Sequence, residues 1–125
     1  MGSNMAKKVL AVDDSLTMRQ LVRMTLSRAG YEVVEAEDGS KGLQKASAQE
    51  FDIVLSDVNM PVMGGMDLVR NLRKLAAYKF TPIVLVTTES QIEKKLEGKA
   101  AGATGWIVKP FEPEQLLAVV TKVLR

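Results

Sequence analysis

Residues 52–61 read DIVLSDVNMP, and the reading of that stretch decides the fold. Ile53, Val54 and Leu55 make a short apolar run with no polar alternation, which fits a strand covered on both faces rather than one with a wet side. Strands of that kind belong to parallel sheets. The run then stops on Asp57 and turns by Pro61, so a carboxylate sits where the strand leaves the core.

Four further runs have the same character: KVLAV (8–12), EVVEA (32–36), PIVLV (82–86) and GWIV (105–108). Segments of helical period separate them. Residues 15–29 place Met18, Leu21, Val22, Thr25 and Ala29 on one face, with Gly30 as a C-terminal stop. Residues 40–48, 65–77, 91–101 and 113–124 behave alike, and the last opens on Pro113 and turns Leu116, Val120, Val123 and Leu124 inward. Strand and helix alternating five times predict a (βα)5 chain: an α/β, doubly wound, five-stranded parallel sheet with helices on both faces and right-handed crossovers.

The 125 residues suit one core of ordinary size, and 46% hydrophobic with 26% charged residues is a globular composition. A net charge of +2, with the 17 basic residues dispersed, gives little reason to expect a nucleic-acid partner. The chain has no cysteine and no histidine, so any bound metal must be held by oxygen. No long apolar stretch and no basic-then-apolar leader is seen, which predicts a cytoplasmic protein without membrane insertion. The opening MGSNM leads us to set residues 1–4 aside as a cloning remnant and to take residues 5–125 as a single domain.

In an open parallel sheet, ligands bind beyond the carboxyl ends of the strands, where the strand order reverses. Asp13-Asp14 follow the first strand, Asp57 the third, Thr87-Thr88 the fourth and Lys109-Pro110 the fifth. Each has an ordinary explanation alone: Asp14 and Ser15 as helix caps, Asp57 as a turn former, the threonines as strand composition, Lys109 as a solvated loop residue. Together they are harder to set aside. Three carboxylates at one edge repel, so the site should raise a pKa or bind a hard cation, and Mg²⁺ suits because it keeps waters and leaves room for phosphate oxygens. With one divalent cation and Lys109 the three carboxylates balance to neutrality. A carboxylate so placed can act as a nucleophile and form an aspartyl phosphate, with lysine, metal and hydroxyl stabilising the transferring phosphoryl oxygens.

The set VDDS (12–15), DVNMP (57–61), VTTE (86–89) and WIVKPF (106–111) resembles the receiver domain of two-component response regulators over residues 6–125. The resemblance implies a flavodoxin-like sheet of strand order 2-1-3-4-5. It implies that Asp57 is the phosphoacceptor, with Asp14, Asp57 and the backbone carbonyl of Asn59 as Mg²⁺ ligands and Asp13 as a ligand through water. Thr87 and Lys109 would bind phosphoryl oxygens, Asn59 and Glu89 would modulate the chemistry, and Lys109-Pro110 would be a cis peptide. Thr87 and Trp106 would carry the switch by remodelling the face made by the fourth helix, fifth strand and fifth helix.

Within that family, the DDSLTMRQ run at 13–20 and AGATGW at 101–106 are similar to the single-domain chemotaxis regulators. That likeness implies a histidine kinase as phosphodonor, a flagellar motor switch protein as target, a phosphatase as a further partner, and a monomer that is a signalling protein rather than an enzyme. The alternatives are a phosphorelay intermediate, a receiver domain excised from a larger regulator, a small phosphatase of the haloacid dehalogenase type, and a flavodoxin-like nucleotide carrier. Two departures stand out: Met63-Gly64-Gly65 replaces the family's Met-Asp-Gly, predicting a looser loop, and Trp106 stands where Tyr or Phe is usual. Gly98 costs the fourth helix about 1 kcal/mol relative to Ala, which predicts mobility there. Lys94, Lys95 and Lys99 are either a solvated face or a seat for an acidic partner. Glu35, Glu37 and Asp38 follow the second strand and are taken as remote from the chemistry.

Overall fold

The structure, a computed structural model, describes residues 6–88 and 92–124. Its elements are β1 (Lys8–Val12), α1 (Leu16–Arg28), β2 (Glu32–Ala36), α2 (Gly39–Ala48), β3 (Ile53–Asp57), α3 (Gly65–Arg73), a 3-10 turn (Ala76–Tyr78), β4 (Ile83–Thr87), α4 (Ile92–Ala101), β5 (Gly105–Val108) and α5 (Pro113–Val123). The five strands form one parallel sheet in the order β2-β1-β3-β4-β5, as expected.

Successive strand residues point to opposite faces, and both faces are covered. Leu10, Val12, Val54, Ile83 and Leu85 pack on the side of α2 and α3, with Leu68, Val69, Leu72 and Tyr78. Val9, Ala11, Ile53, Leu55, Val84, Val86 and Ile107 pack on the side of α1 and α5, with Val22, Leu26, Leu116 and Val120. Two dry layers explain why β3 and β4 read as continuous apolar runs.

Some boundaries and one helix face differ from the sequence reading. β3 and β4 each start and end one residue later than expected, so Asp57 and Thr87 are the last residues of their strands. Register accounts for it: Asp57 pairs with Val86 and Thr87 with Val108. At the other end Asp52 precedes the strand and meets Lys8 twice: its carboxylate accepts from the Lys8 backbone N–H at 2.7 Å and its own N–H donates to the Lys8 carbonyl at 2.8 Å. In α1 the buried residues are Val22 and Leu26, and Ala29, expected to face inward, is exposed. Ala29 is the C-cap, with φ −88° and ψ 2°, and lies off the helical track. Gly30 follows at φ +98°, the left-handed conformation that favours glycine at a helix end. The third helix ends at Arg73 rather than 77, because Leu75 is extended and the 3-10 turn brings Tyr78 into the core.

Candidate functional site

The carboxyl ends of β1 and β3 are adjacent, Val12 lying opposite Ser56, so the residues that follow them meet. Asp13, Asp14 and Asp57 each place a carboxylate oxygen within 4.8 Å of the others. Asp13 and Asp57 are buried and Asp14 is exposed, which leaves one side of the cluster open to water. Ser15, not Asp14, caps α1: its Oγ accepts from the Met18 N–H at 3.2 Å. The Ser15 N–H in turn donates to Asp13 Oδ1 at 2.9 Å.

Asp57 is fixed from its own loop. Its Oδ1 accepts from the Val58 N–H at 2.8 Å, and its carbonyl accepts from the Ser56 hydroxyl at 2.8 Å. Gly65 is required at the start of α3, since a Cβ there would lie 2.1 Å from the Asp57 carbonyl oxygen. The Gly65 N–H donates to the Val58 carbonyl at 2.9 Å, and the Gly39 N–H donates to that of Met63 at 2.9 Å. Gly64-Gly65 therefore ties the β3–α3 loop down rather than loosening it. Val62 in the same loop has φ 68°, a conformation a β-branched residue rarely takes.

Lys109 reaches across from the end of β5. Its Nζ lies 2.8 Å from Asp13 Oδ2 and 3.5 Å from Asp57 Oδ2. The Lys109 N–H donates to the Thr87 carbonyl at 2.7 Å, and the Lys109-Pro110 peptide is cis. Thr87, 1% exposed, ends β4 beside them. Burial pushes the Asp57 carboxyl above its ordinary pKa, Lys109 pulls it back, and Asp13 adds to the rise. A half-open cluster of three carboxylates with no nitrogen or sulfur donor suits a hard, oxygen-seeking cation that retains waters.

Asn59 is exposed two residues beyond Asp57, on the loop at the rim. Glu89 lies outside the described residues. Trp106 is half-buried in β5 and packs toward the α2–α3 layer. A Cβ on Gly98 of α4 would lie 3.1 Å from the indole Cζ3 and 2.9 Å from Leu85 Cδ1, so α4 sits close to the sheet because residue 98 has no side chain. That packing reason was invisible in the sequence. Lys95, Lys99, Ala103, Thr104, Gly105 and Trp106 border a surface cavity of about 300 Å³.

The three acids around the end of β2 are structurally engaged. Asp38 caps α2 by accepting from the Lys41 N–H at 2.8 Å, and Glu37 pairs with Lys41. Glu35 holds Arg23 at 2.7 Å and Arg19 at 3.2 Å, and the Arg23 hydrogen bond leads the causes that keep its carboxyl below the usual range. Arg19 was not singled out from the sequence. Its Nη1 donates to the Asp13 carbonyl at 2.6 Å, a contact with no side-chain signature because the acceptor is main chain.

A 2-1-3-4-5 parallel sheet with an Asp pair, a strand-terminal Asp, a Thr and a Lys gathered at its point of reversal is the arrangement of a receiver domain. The chain matches the response regulator receiver domain over residues 9–121 and belongs to that family. It is 42% identical over 119 residues to the chemotaxis protein CheY1 of Helicobacter pylori, which covers 94% of this chain and 96% of that protein. The structure of the Vibrio cholerae chemotaxis protein CheY4 is 57% identical and superposes with a TM-score of 0.93 over 96% of this chain and 100% of that one. The transcriptional regulatory protein ResD of Bacillus subtilis is 36% identical over 118 residues, 94% of this chain but 48% of ResD. The family is one of signalling proteins, which sets aside the phosphatase and nucleotide-carrier alternatives. No helix among the described residues is long and apolar enough to cross a membrane.

Proposed function

We propose that the chain is a phosphorylation-operated switch: Asp57 accepts a phosphoryl group from a histidine kinase, and the α4-β5-α5 face changes to bind a partner. The observation that carries this is Lys109 Nζ held between Asp13 and Asp57, at 2.8 and 3.5 Å, at the mouth of the carboxylate cluster. An Asp57 oxygen attacks the phosphorus of phosphohistidine, the P–N bond breaks with its electrons leaving on the imidazole nitrogen, and an acyl phosphate forms. Asp14, Asp57 and the Asn59 carbonyl, with Asp13 through water, would hold Mg²⁺, which would supply charge neutralisation at the phosphoryl oxygens. Lys109 and Thr87 bind those oxygens, and Asn59 and Glu89 modulate the reaction from the rim. Trp106 follows Thr87 and transmits the change to α4 and β5.

Likeness to the two chemotaxis proteins supports a role in chemotaxis, with a flagellar motor switch protein as target, a phosphatase as a further partner, and residues 5–125 acting as one cytoplasmic, monomeric domain. Likeness to ResD, which extends well beyond the matched region, favours a second reading as a phosphorelay intermediate or a domain of a larger regulator. Intact-mass spectrometry after treatment with a small phosphodonor tests the chemistry. One phosphoryl group is expected with Mg²⁺, and none with chelator or in Asp57→Asn; a label that survives in Asp57→Asn would move the acceptor elsewhere. Phosphorylation-dependent binding to a motor switch protein separates the two readings.

A further inference from the structure

Arg19 lies in the first turn of α1, yet its side chain leaves the helix. Nη1 donates to the Asp13 carbonyl at 2.6 Å, and Nε donates to Glu35 Oε1 on β2 at 3.2 Å. The side chain is only 14% exposed. The far oxygen of Glu35 takes Arg23 at 2.7 Å, so the two arginines use different oxygens of one carboxylate. The bridge runs from the exit of β1 to β2, on the flank of the cluster opposite Lys109, which holds the Asp13 carboxylate from the β5 side at 2.8 Å.

The Asp13 carbonyl belongs to the peptide that joins Asp13 to Asp14. That unit is planar, so fixing its oxygen also fixes the Cα from which the Asp14 side chain starts. Asp14 is exposed, and packing does little to orient it. A guanidinium forked between a main-chain oxygen on one strand exit and a carboxylate on the next strand supplies that orientation.

We propose that Arg19, braced by Glu35, is a positioning residue that sets the Asp13–Asp14 peptide, and through it the Asp14 carboxylate, for a divalent cation. The inference rests on the reading of the cluster as a Mg²⁺ site. Its sign distinguishes it from a charge effect. By Coulomb's law alone, removing a positive group beside a cation site strengthens cation binding, whereas loss of positioning weakens it.

The experiment is calorimetric titration of the full chain with Mg²⁺, alongside melting and amide exchange without metal. Arg19→Met keeps the apolar stem and is expected to weaken Mg²⁺ binding about ten-fold, as loss of a ligand-orienting group does. Its Asp14 amide should exchange faster than in the wild type. Arg19→Lys retains one donor for the carbonyl and should recover part of the affinity. Arg23→Met removes the same charge but leaves both Arg19 bonds, so its affinity should equal or slightly exceed that of the wild type. If Arg19→Met does not fold, Arg19→Gln takes its place, removing the same charge with a loss in the same direction.

Equal Mg²⁺ affinity in Arg19→Met and wild type would overturn the positioning role and leave the proposed function intact. Equal weakening in Arg23→Met would overturn it as well, since the loss would then follow the fold and not the two Arg19 bonds. A wild-type chain that takes up no Mg²⁺ would overturn the proposed function and the positioning role together.

Discussion

Asp57 is held in a way that opposes its own charge. Burial raises its pKa in the folded protein above the unfolded value, with the neighbouring Asp13 adding to the rise. For a group shifted in that direction, the linked stability is fully present below the unfolded pKa and is lost as pH rises through the folded pKa. At neutral pH the metal-free protein therefore carries a destabilising carboxylate. Asp57→Asn should raise its melting temperature by about 3 °C near pH 7, with the gain shrinking toward about pH 4 as the wild-type carboxyl takes up its proton. Calorimetry at the two pH values checks this, and an advantage that stays constant would show that the charge is not its source. Val62 carries a different kind of cost. It is 85% exposed at φ 68°, so no packing compensates a left-handed backbone that costs an L-residue roughly 1–2 kcal/mol. Asn tolerates that conformation, and Val62→Asn should gain about 1 kcal/mol, seen as a higher urea midpoint at unchanged slope.

At the scale of elements, the strands were legible because both faces of the sheet are dry and the sequence shows it as unbroken apolar runs. The helix ends were less so. Nothing local in residues 65–77 announces that α3 stops at Arg73, since the stop depends on Tyr78 turning into the core, where its hydroxyl bonds the Ala46 and Gln49 carbonyls, each at 2.8 Å. Leu26 was missed because Ala29 fits the same apolar period until the cap takes it off the helix. Glycine was the residue most easily misread: at 64, 65 and 98 it suggested looseness where it permits close approach. Two substitutions separate the kinds of approach. At Gly65 an added Cβ meets backbone, the Asp57 carbonyl at 2.1 Å, and Gly65→Ala should lose about 2–3 kcal/mol and most phosphodonor labelling. At Gly98 it meets the ends of Leu85 and Trp106 side chains, which can move, while helix propensity improves by about 1 kcal/mol. Gly98→Ala should stay within about 1 kcal/mol of the wild type in urea unfolding but shift Trp106 emission. Equal losses for the two would show that backbone and side-chain obstacles do not differ here.

Across the whole molecule, Lys109 and Asp13 meet from 96 positions apart, and the sequence still foretold that meeting, because strand ends of a parallel sheet lie at one edge and polar residues there stand out against apolar runs. Contacts to main-chain oxygen left no such trace. Arg73 shows the same blindness on a larger scale. From the end of α3 it donates to the Gly102 carbonyl through Nε and Nη2 at 3.0 and 2.8 Å, and to the Tyr78 and Thr81 carbonyls through Nη1, both at 2.7 Å. One side chain thus joins α3, the segment leading into β4 and the turn between α4 and β5. Charge-assisted hydrogen bonds are the stronger kind, and carbonyls that lose a buried partner cost about 1–3 kcal/mol each when water cannot replace it. All three acceptors are only part-buried, so Arg73→Met should lose about 3 kcal/mol in urea unfolding. Arg73→Lys should recover less than half, because an ammonium cannot match the planar fork that meets Gly102 twice. Because the turn it anchors leads into β5, the loss should extend to Trp106: its emission in the folded state should differ from the wild type in both variants. Full rescue by lysine would reduce Arg73 to a point charge, and unchanged emission would confine its role to α3 and the approach to β4.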